Sequence, residues 1–252
     1  MPTVLIRLSG PMQSYGTTSR WEERATAPRP TKSAVIGIVA NALGLEREDD
    51  LTELAALTFT VRADRPGHLL TDHQTAGGGA FPAHPLAAAG PGLNTTGWYG
   101  APRSPAPDPD GTLRASCKPA DRSEVLMVKH YIADAAFLAG LTTPHQDLAE
   151  KINTGLHHPH RTLYLGRKSC PPAQWIAYGI TPHDHDWPDR IPLLPEATCP
   201  SPQVWSEAPP QAGALPSPEQ VPTSYAARNH PLMHLSIRCA APPPATSENT
   251  SP

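Results

Sequence analysis

The stretch LIRLSGPMQSYGTTSRWEERATAPRPTKSAVIGIVANALG, Leu5–Gly44, decides how this chain is read. Together with Thr3 and Val4 its first residues alternate, Val4, Ile6 and Leu8 on one face and Leu5, Arg7 and Ser9 on the other. That is the period-two signature of a half-buried strand, ended by Gly10-Pro11. Further on, Val35, Ile36, Val39 and Leu43 share one face of a helix predicted over Lys32–Leu43, with Thr31 as its cap and Gly44 as its stop. Between these elements Gly10 and Gly16 bracket a loop carrying Gln13, Ser14 and the stackable Tyr15, suited to close backbone contact with a nucleic acid; an ordinary connecting loop has the same composition. The helix start Arg29-Pro30-Thr31-Lys32-Ser33 sets N–H groups and the positive dipole end beside two cations, which together attract phosphate. Thr31 or Ser33 acting only as a cap is the plainer alternative.

Working outward, Thr58–Ala63 and His68–Gln74 read as strands flanking Pro66-Gly67, a hairpin. From Gly77 to about Pro109 Gly, Pro and Ala dominate, an excursion projecting from the fold. Val125–Tyr131 and Ala135–Leu141 read as a second strand pair. Thr143-Pro144-His145-Gln146 then supplies a cap, a proline at the first helical position and a glutamine three residues after the cap, and the stripe Leu148, Ile152, Leu156 gives the following helix one buried face. Leu163–Leu165 and Gln174–Ile180 are further strand candidates, Pro192–Pro222 reads as linker, and Leu232–Arg238 as a strand that returns to the sheet before a disordered tail. The order strand, helix, strands, then strands, helix, strand is that of an α+β, ferredoxin-like fold, the scaffold on which RRM domains present a sheet face to RNA. The expected organisation is a ferredoxin-like domain over 1–182 with the excursion at about 77–115, a Pro-rich extension over 183–240, and a tail over 241–252.

A chain of 252 residues is long enough for a sizeable core, yet 33 prolines against a background of roughly 5% mean that part of it is loop. The four cysteines form no C-x-x-C pair, which argues against a zinc ribbon or a disulfide framework and leaves incidental reduced thiols. No run approaches roughly 18 apolar residues and MPTVLIRLSG turns polar too soon for a secretory signal, so a cytoplasmic protein with no membrane partner is expected. A net charge of −3 is unlike that of a free-standing nucleic-acid binder, but charge is locally concentrated. Between Lys151 and His183 stand Lys151, Arg161, Arg167 and Lys168 with no acidic residue; Arg20, Arg24, Arg29 and Lys32 form a second cluster.

The order GPMQSYG (Gly10–Gly16), then RPTKSAVIGIVANALGLERED (Arg29–Asp49), resembles the start of the CasD proteins of type I-E CRISPR systems, members of the RAMP superfamily. The resemblance continues in DHQT (Asp72–Thr75), HYIADAAF (His130–Phe137) and YLGRKSCP (Tyr164–Pro171), spans roughly residues 3 to 180, and leaves an echo in Tyr225-Ala226-Ala227-Arg228. It implies an RNA-binding, non-catalytic subunit of Cascade that caps the 5′ handle of the crRNA, without a cofactor. Its partners would be the crRNA, the backbone filament subunit, the large subunit and, indirectly, target DNA. The excursion then corresponds to a thumb. The RNA contacts fall to Gln13, Tyr15, Lys32, Ser33, His73, Arg167 and Lys168, with Arg20, Arg24, Arg29 and Arg161 as supporting charges.

The alternative is a metal-independent endoribonuclease processing CRISPR repeat RNA, in which Lys129-His130-Tyr131 serves as general acid and base. His183-Asp184-His185-Asp186 holds metal-capable groups, but alternation in an extended loop sends neighbours in opposite directions, so a surface loop is expected there and at His157, His158 and His160. No G-x-S-x-G elbow and no G-x-x-x-x-G-K-[ST] loop occurs. A purely structural assembly protein is a third class, in which the basic positions are dispensable for RNA.

Overall fold

The computed structural model describes residues 1–16, 23–76, 80–82, 96–98, 101–102, 122–123, 125–208, 215–220, 223 and 232–241. The elements run β1 (Thr3–Gln13), β2 (Glu23–Arg24), α1 (Lys32–Ala42), α2 (Thr52–Ala55), β3 (Thr58–Arg65) and β4 (His68–Ala76). Four short strands follow, β5 (Ala80–Pro82), β6 (Thr96–Trp98), β7 (Ala101–Pro102) and β8 (Arg122–Ser123), then β9 (Val125–Thr142), α3 (Gln146–His157), β10 (Ala177–Thr181) and α4 (Trp187–Arg190). The chain closes with β11 (Gln203–Glu207), β12 (Leu215–Gln220) and β13 (Leu232–Cys239).

Two compact units arise. The first comprises Met1–Thr17, Ala25–Leu70 and Tyr131–Pro252, the second Thr18–Arg24 and Thr71–His130. In the first, the sheet runs β10-β1-β9-β3-β11-β13-β12. β1 is antiparallel to both β9 and β10, and β3 is antiparallel to β9 and β11. Alternation along β1 explains the layering. Val4, Ile6 and Leu8 are fully buried in one core with Val35, Ile36 and Val39 of α1 and Leu148, Ile152 and Leu156 of α3. The expected stripes of both helices therefore meet the expected face of β1. Thr31 caps α1, its hydroxyl accepting from the Ala34 N–H at 3.3 Å, and the helix ends one residue short of the predicted Leu43.

The opposite face is not left to solvent. Leu5 packs with Ala136, Leu138, Trp187 and Leu194 in a second core. The clasp that holds this cover is the Arg62–Asp64 pair, both side chains fully buried, with Arg62 Nε 2.6 Å from Asp64 Oδ1. Arg62 also donates to the carbonyls of Pro188, Ile191 and Pro192 at 2.7 to 2.9 Å, and Asp64 Oδ2 accepts from the Leu194 N–H at 2.7 Å. Every charge-bearing group of the pair thus has a partner, the condition under which a buried ion pair is tolerated. An exposed sheet face of the RRM kind is consequently closed by the chain's own residues Trp187 to Leu194.

Several local expectations change. β1 runs on through Gly10-Pro11 to Gln13. Gly10 pairs with Ala135 and Met12 with Ala133, so Pro11, which has no N–H to donate, stands opposite Asp134, a residue at φ 53°. The predicted pair Val125–Tyr131 and Ala135–Leu141 is one strand of 18 residues, because Ile132-Ala133-Asp134 contains no turn-forming Gly or Pro. The predicted hairpin is absent: β4 pairs with β9 rather than β3. Gly67, at φ 71°, turns the chain so tightly that a Cβ there would lie 2.3 Å from the Ala133 carbonyl oxygen. Leu163–Leu165 is not a strand, and α3 starts after His145, whose N–H is held by the Thr143 hydroxyl at 3.2 Å. Within the expected linker, Gln203–Glu207 is β11, with Val204 fully buried opposite Arg62. Leu232–Cys239 returns to the sheet as expected, against β11.

In the second unit β2 lies parallel to β9, Glu23 opposite Val128 and Arg24 opposite Lys129, and β5–β6 and β7–β8 are antiparallel pairs. The expected thumb at about 77–115 falls in this unit, and only residues 80–82, 96–98 and 101–102 of it are described. Tyr225–Arg228 and residues 242–252 of the expected tail lie outside the described residues.

Candidate nucleic-acid interface

The end of β1 is where the sequence-predicted loop and the YLGRKSCP block meet. Gln13 is fully buried, its amide donating to the Leu8 carbonyl at 3.0 Å and the Ala135 carbonyl at 2.8 Å. Tyr15 is 1% exposed and donates from its hydroxyl to Gln13 Oε1 at 2.7 Å. Burial, with a smaller contribution from neighbouring Cys170, pushes the Tyr15 phenol well above its ordinary range, so it remains a donor. Burial likewise raises the Cys170 thiol, against smaller opposing effects of Ser169 and Arg167. Gln13 and Tyr15 were expected to touch RNA; their side chains instead tie the loop together from inside, and neither reaches the surface.

What the loop presents is backbone, and a second loop is fixed to it. The Ser14 N–H donates to the Leu165 carbonyl at 3.1 Å. Gly166, at φ 90°, permits this approach, since a Cβ there would stand 1.7 Å from the Ser14 carbonyl oxygen. The Leu165 N–H donates to the Cys170 carbonyl at 2.8 Å and the Cys170 N–H to the Arg167 carbonyl at 2.9 Å, closing a turn that carries Arg167, Lys168 and Ser169 outward. Arg167 is half-buried with its guanidinium 4.7 Å from the centroid of the Tyr131 ring, and Lys168 is exposed. On the other side of the loop the Ala27 N–H donates to the Tyr15 carbonyl at 2.6 Å and the Thr26 hydroxyl accepts from the Tyr15 N–H at 2.8 Å. Gly16 and Lys168 are thus exposed, and Thr26 and Arg167 half-buried, on segments bonded to one strand end.

The helix start is engaged internally. Lys32 is 2% exposed, its Nζ 2.8 Å from Glu207 Oε2, which also accepts from the Phe59 N–H at 3.1 Å. This pair joins α1, β3 and β11, so Lys32 is neutralised by a carboxylate where a phosphate was expected. Arg29 is 6% exposed and donates to the Pro30 carbonyl at 2.9 Å, its guanidinium 5.7 Å from the Trp205 ring centroid. Ser33 is half-buried, its hydroxyl 3.3 Å from that of Thr31. Arg161 caps the end of α1 by donating to the Leu45 carbonyl at 2.8 Å and the Gly44 carbonyl at 3.2 Å, and pairs with Glu46. These ties make Lys32, Arg29 and Arg161 parts of the scaffold. Arg20 lies outside the described residues.

In the second unit, Arg24 is exposed on β2 and His73 on β4. There His130 sits between Glu23 Oε1, 3.2 Å from Nε2, and the Thr71 hydroxyl, 3.1 Å from Nδ1, while Lys129 donates to Gln74 Oε1 at 2.5 Å. Tyr131, in the first unit, is 4% exposed. Among the described residues no three His, Cys, Asp or Glu side chains are placed to hold a metal ion. No described helix is long and apolar enough to cross a membrane. Sequence reasoning missed Tyr131 as the platform under Arg167 and Thr26 as the clamp on Tyr15. For Tyr131 the signal was its place in HYIADAAF; for Thr26 there was none.

The chain is similar to several known proteins. A curated relative, the CRISPR system Cascade subunit CasD of Escherichia coli (strain K12), is 28% identical over 175 residues, 67% of this chain and 66% of the relative, so the match spans just under two thirds of that protein. A chain of a solved CRISPR RNA-guided surveillance complex superposes with a TM-score of 0.67 at 27% identity, covering 94% of this chain and 90% of that one. A crystal structure of a Cas protein gives 0.58 at 26% identity, covering 95% of each. A family model matches residues 3–195, and with well over half its length so matched the chain belongs to the family described as CRISPR-associated protein (Cas_Cas5).

Proposed function

We propose that this chain is a non-catalytic subunit of a type I-E Cascade complex, cytoplasmic and active in antiviral defence, that holds the 5′ handle of the crRNA and bridges the backbone filament and the large subunit. The observation that carries this reading is the Arg167-Lys168 turn, bonded through Leu165 to the backbone of Ser14 and steered by Tyr131. A pre-shaped cationic turn beside exposed loop backbone offers charge and N–H donors to a phosphodiester at little ordering cost. The kinship with a Cascade subunit supports the assembly, and a subunit held by protein contacts has less need of a basic overall charge.

We further read β10-β1-β9-β3, with α1 and α3 packed on one face, as the ferredoxin-like core of a RAMP protein. With the opposite face covered, on this reading the RNA contact lies at the strand end and not on the sheet surface. The nuclease alternative draws no support from Tyr131, which is buried beneath Arg167. Co-expression with the other subunits and a CRISPR array, followed by sequencing of the co-purified RNA, tests the proposal. The expected result is one RNA population with a common 5′ end that cross-links to the Arg167 turn. Cross-links confined to other subunits would overturn it.

A further inference from the structure

Behind the strand end, the first unit carries an apolar groove of about 500 Å³ that the handle-binding reading leaves unused. Its floor is Leu156, Leu163 and Ile176, at 2%, 7% and 4% exposure, and its walls are Pro171, Pro172 and Trp175. Trp175 is 75% exposed, the most exposed large apolar side chain among the described residues. An indole left in water beside a ready apolar floor is the usual form of an interface anchor.

Charge says what covers it. From Lys151 to His183 the chain contains no acidic residue, while Lys151, His157, His158 and Lys168 are exposed on the elements that supply the floor and walls. The carboxylates that bound this stretch are engaged, Glu150 accepting from Gln146 at 2.8 Å and Asp184 from the His185 N–H at 2.7 Å. We infer that the Trp175 groove is a docking site for a protein segment of a neighbouring subunit, one apolar side chain flanked by Asp or Glu. The inference rests on the reading of this chain as part of a larger complex. A protein segment suits the site better than a nucleobase. Among the lining residues the polar side-chain groups are those of Thr162 and Gln174 and the indole N–H of Trp175, few for the donors and acceptors on a base edge, whereas an aliphatic or prolyl side chain needs none.

The test uses the full chain, each remaining subunit of its complex purified without RNA, and a fluorescein-labelled single-stranded repeat RNA. Trp175→Ala is expected to weaken binding to one subunit by about tenfold or more. Gln174→Glu, which sets a carboxylate against the acidic flanks, is expected to weaken it by about threefold, with RNA affinity and melting temperature unchanged in both. Unchanged subunit affinities, or no subunit binding the wild-type chain, would overturn the inference. Loss of RNA affinity with subunit binding intact would reassign the groove to a nucleobase. A wild-type chain that docks through Trp175 but retains no RNA would refute the handle-binding reading and leave the groove standing.

Discussion

The guanidinium of Arg167 lies 4.7 Å from the centroid of the Tyr131 ring, which joins a turn after α3 to the middle of the longest strand. The ring offers its negative face to the guanidinium and so orients the cation. Replacing Tyr131 with Leu removes about 0.5–1 kcal/mol of that orientation and is expected to lower RNA affinity two- to fivefold. Tyr131→Phe, which keeps the ring, is expected to match wild type. Titration of labelled repeat RNA against the reconstituted complex reads both.

Lys32 separates scaffold from contact. If its salt bridge to Glu207 fastens α1 to β3 and β11, Lys32→Ala costs about 2 kcal/mol of stability, visible as a lower urea midpoint. RNA affinity of the folded variant is expected to stay within twofold of wild type. An unchanged midpoint with a large loss of RNA would return Lys32 to the interface.

The Arg62–Asp64 clasp is a buried ion pair that the sequence concealed. Arg62→Ala leaves the Asp64 carboxylate buried and opens four hydrogen-bonded groups, a loss of about 3–5 kcal/mol. Urea unfolding at neutral pH measures it, and hydrogen exchange is expected to rise first at Leu194, whose N–H is held by Asp64.

Acid sensitivity follows from Asp189. Its hydrogen bond and charge contact with Arg238 hold the carboxyl below its ordinary value of about 3.9, outweighing partial burial. A depressed folded value means the contribution is present above that ordinary value and is lost as pH falls through the folded one. Both partners are partly exposed, so the effect is small and salt-screened. Asp189→Asn is expected to lower stability slightly at pH 7, where the contribution is present, and to flatten its dependence on pH below about pH 4, as thermal melts at several pH values would register.

How much was legible in advance depended on whether the signal was local. The alternation of Val4, Ile6 and Leu8, the Thr31 cap and the stripe Leu148, Ile152, Leu156 each follow from residues within a few positions, and each is found. The interface failed where a side chain's partner was far away in sequence. Gln13 and Tyr15 look exposed in a glycine-bracketed loop, but their partners include the carbonyl of Ala135; Lys32 looks like a phosphate ligand until Glu207 arrives on β11. Proline density made Gln203–Glu207 look like linker. Its pairing with β3 is a long-range fact that no local pattern encodes.

The central claim is that the Arg167 turn, and not the helix start, holds the RNA. The most direct measurement is the dissociation constant of the crRNA 5′ handle from complexes assembled with wild-type, Arg167→Ala/Lys168→Ala and Lys32→Ala chains at one fixed salt concentration. The account expects a loss of about tenfold or more for the double variant at an unchanged melting temperature, and no more than twofold for Lys32→Ala. Equal affinity for wild type and the double variant would contradict it.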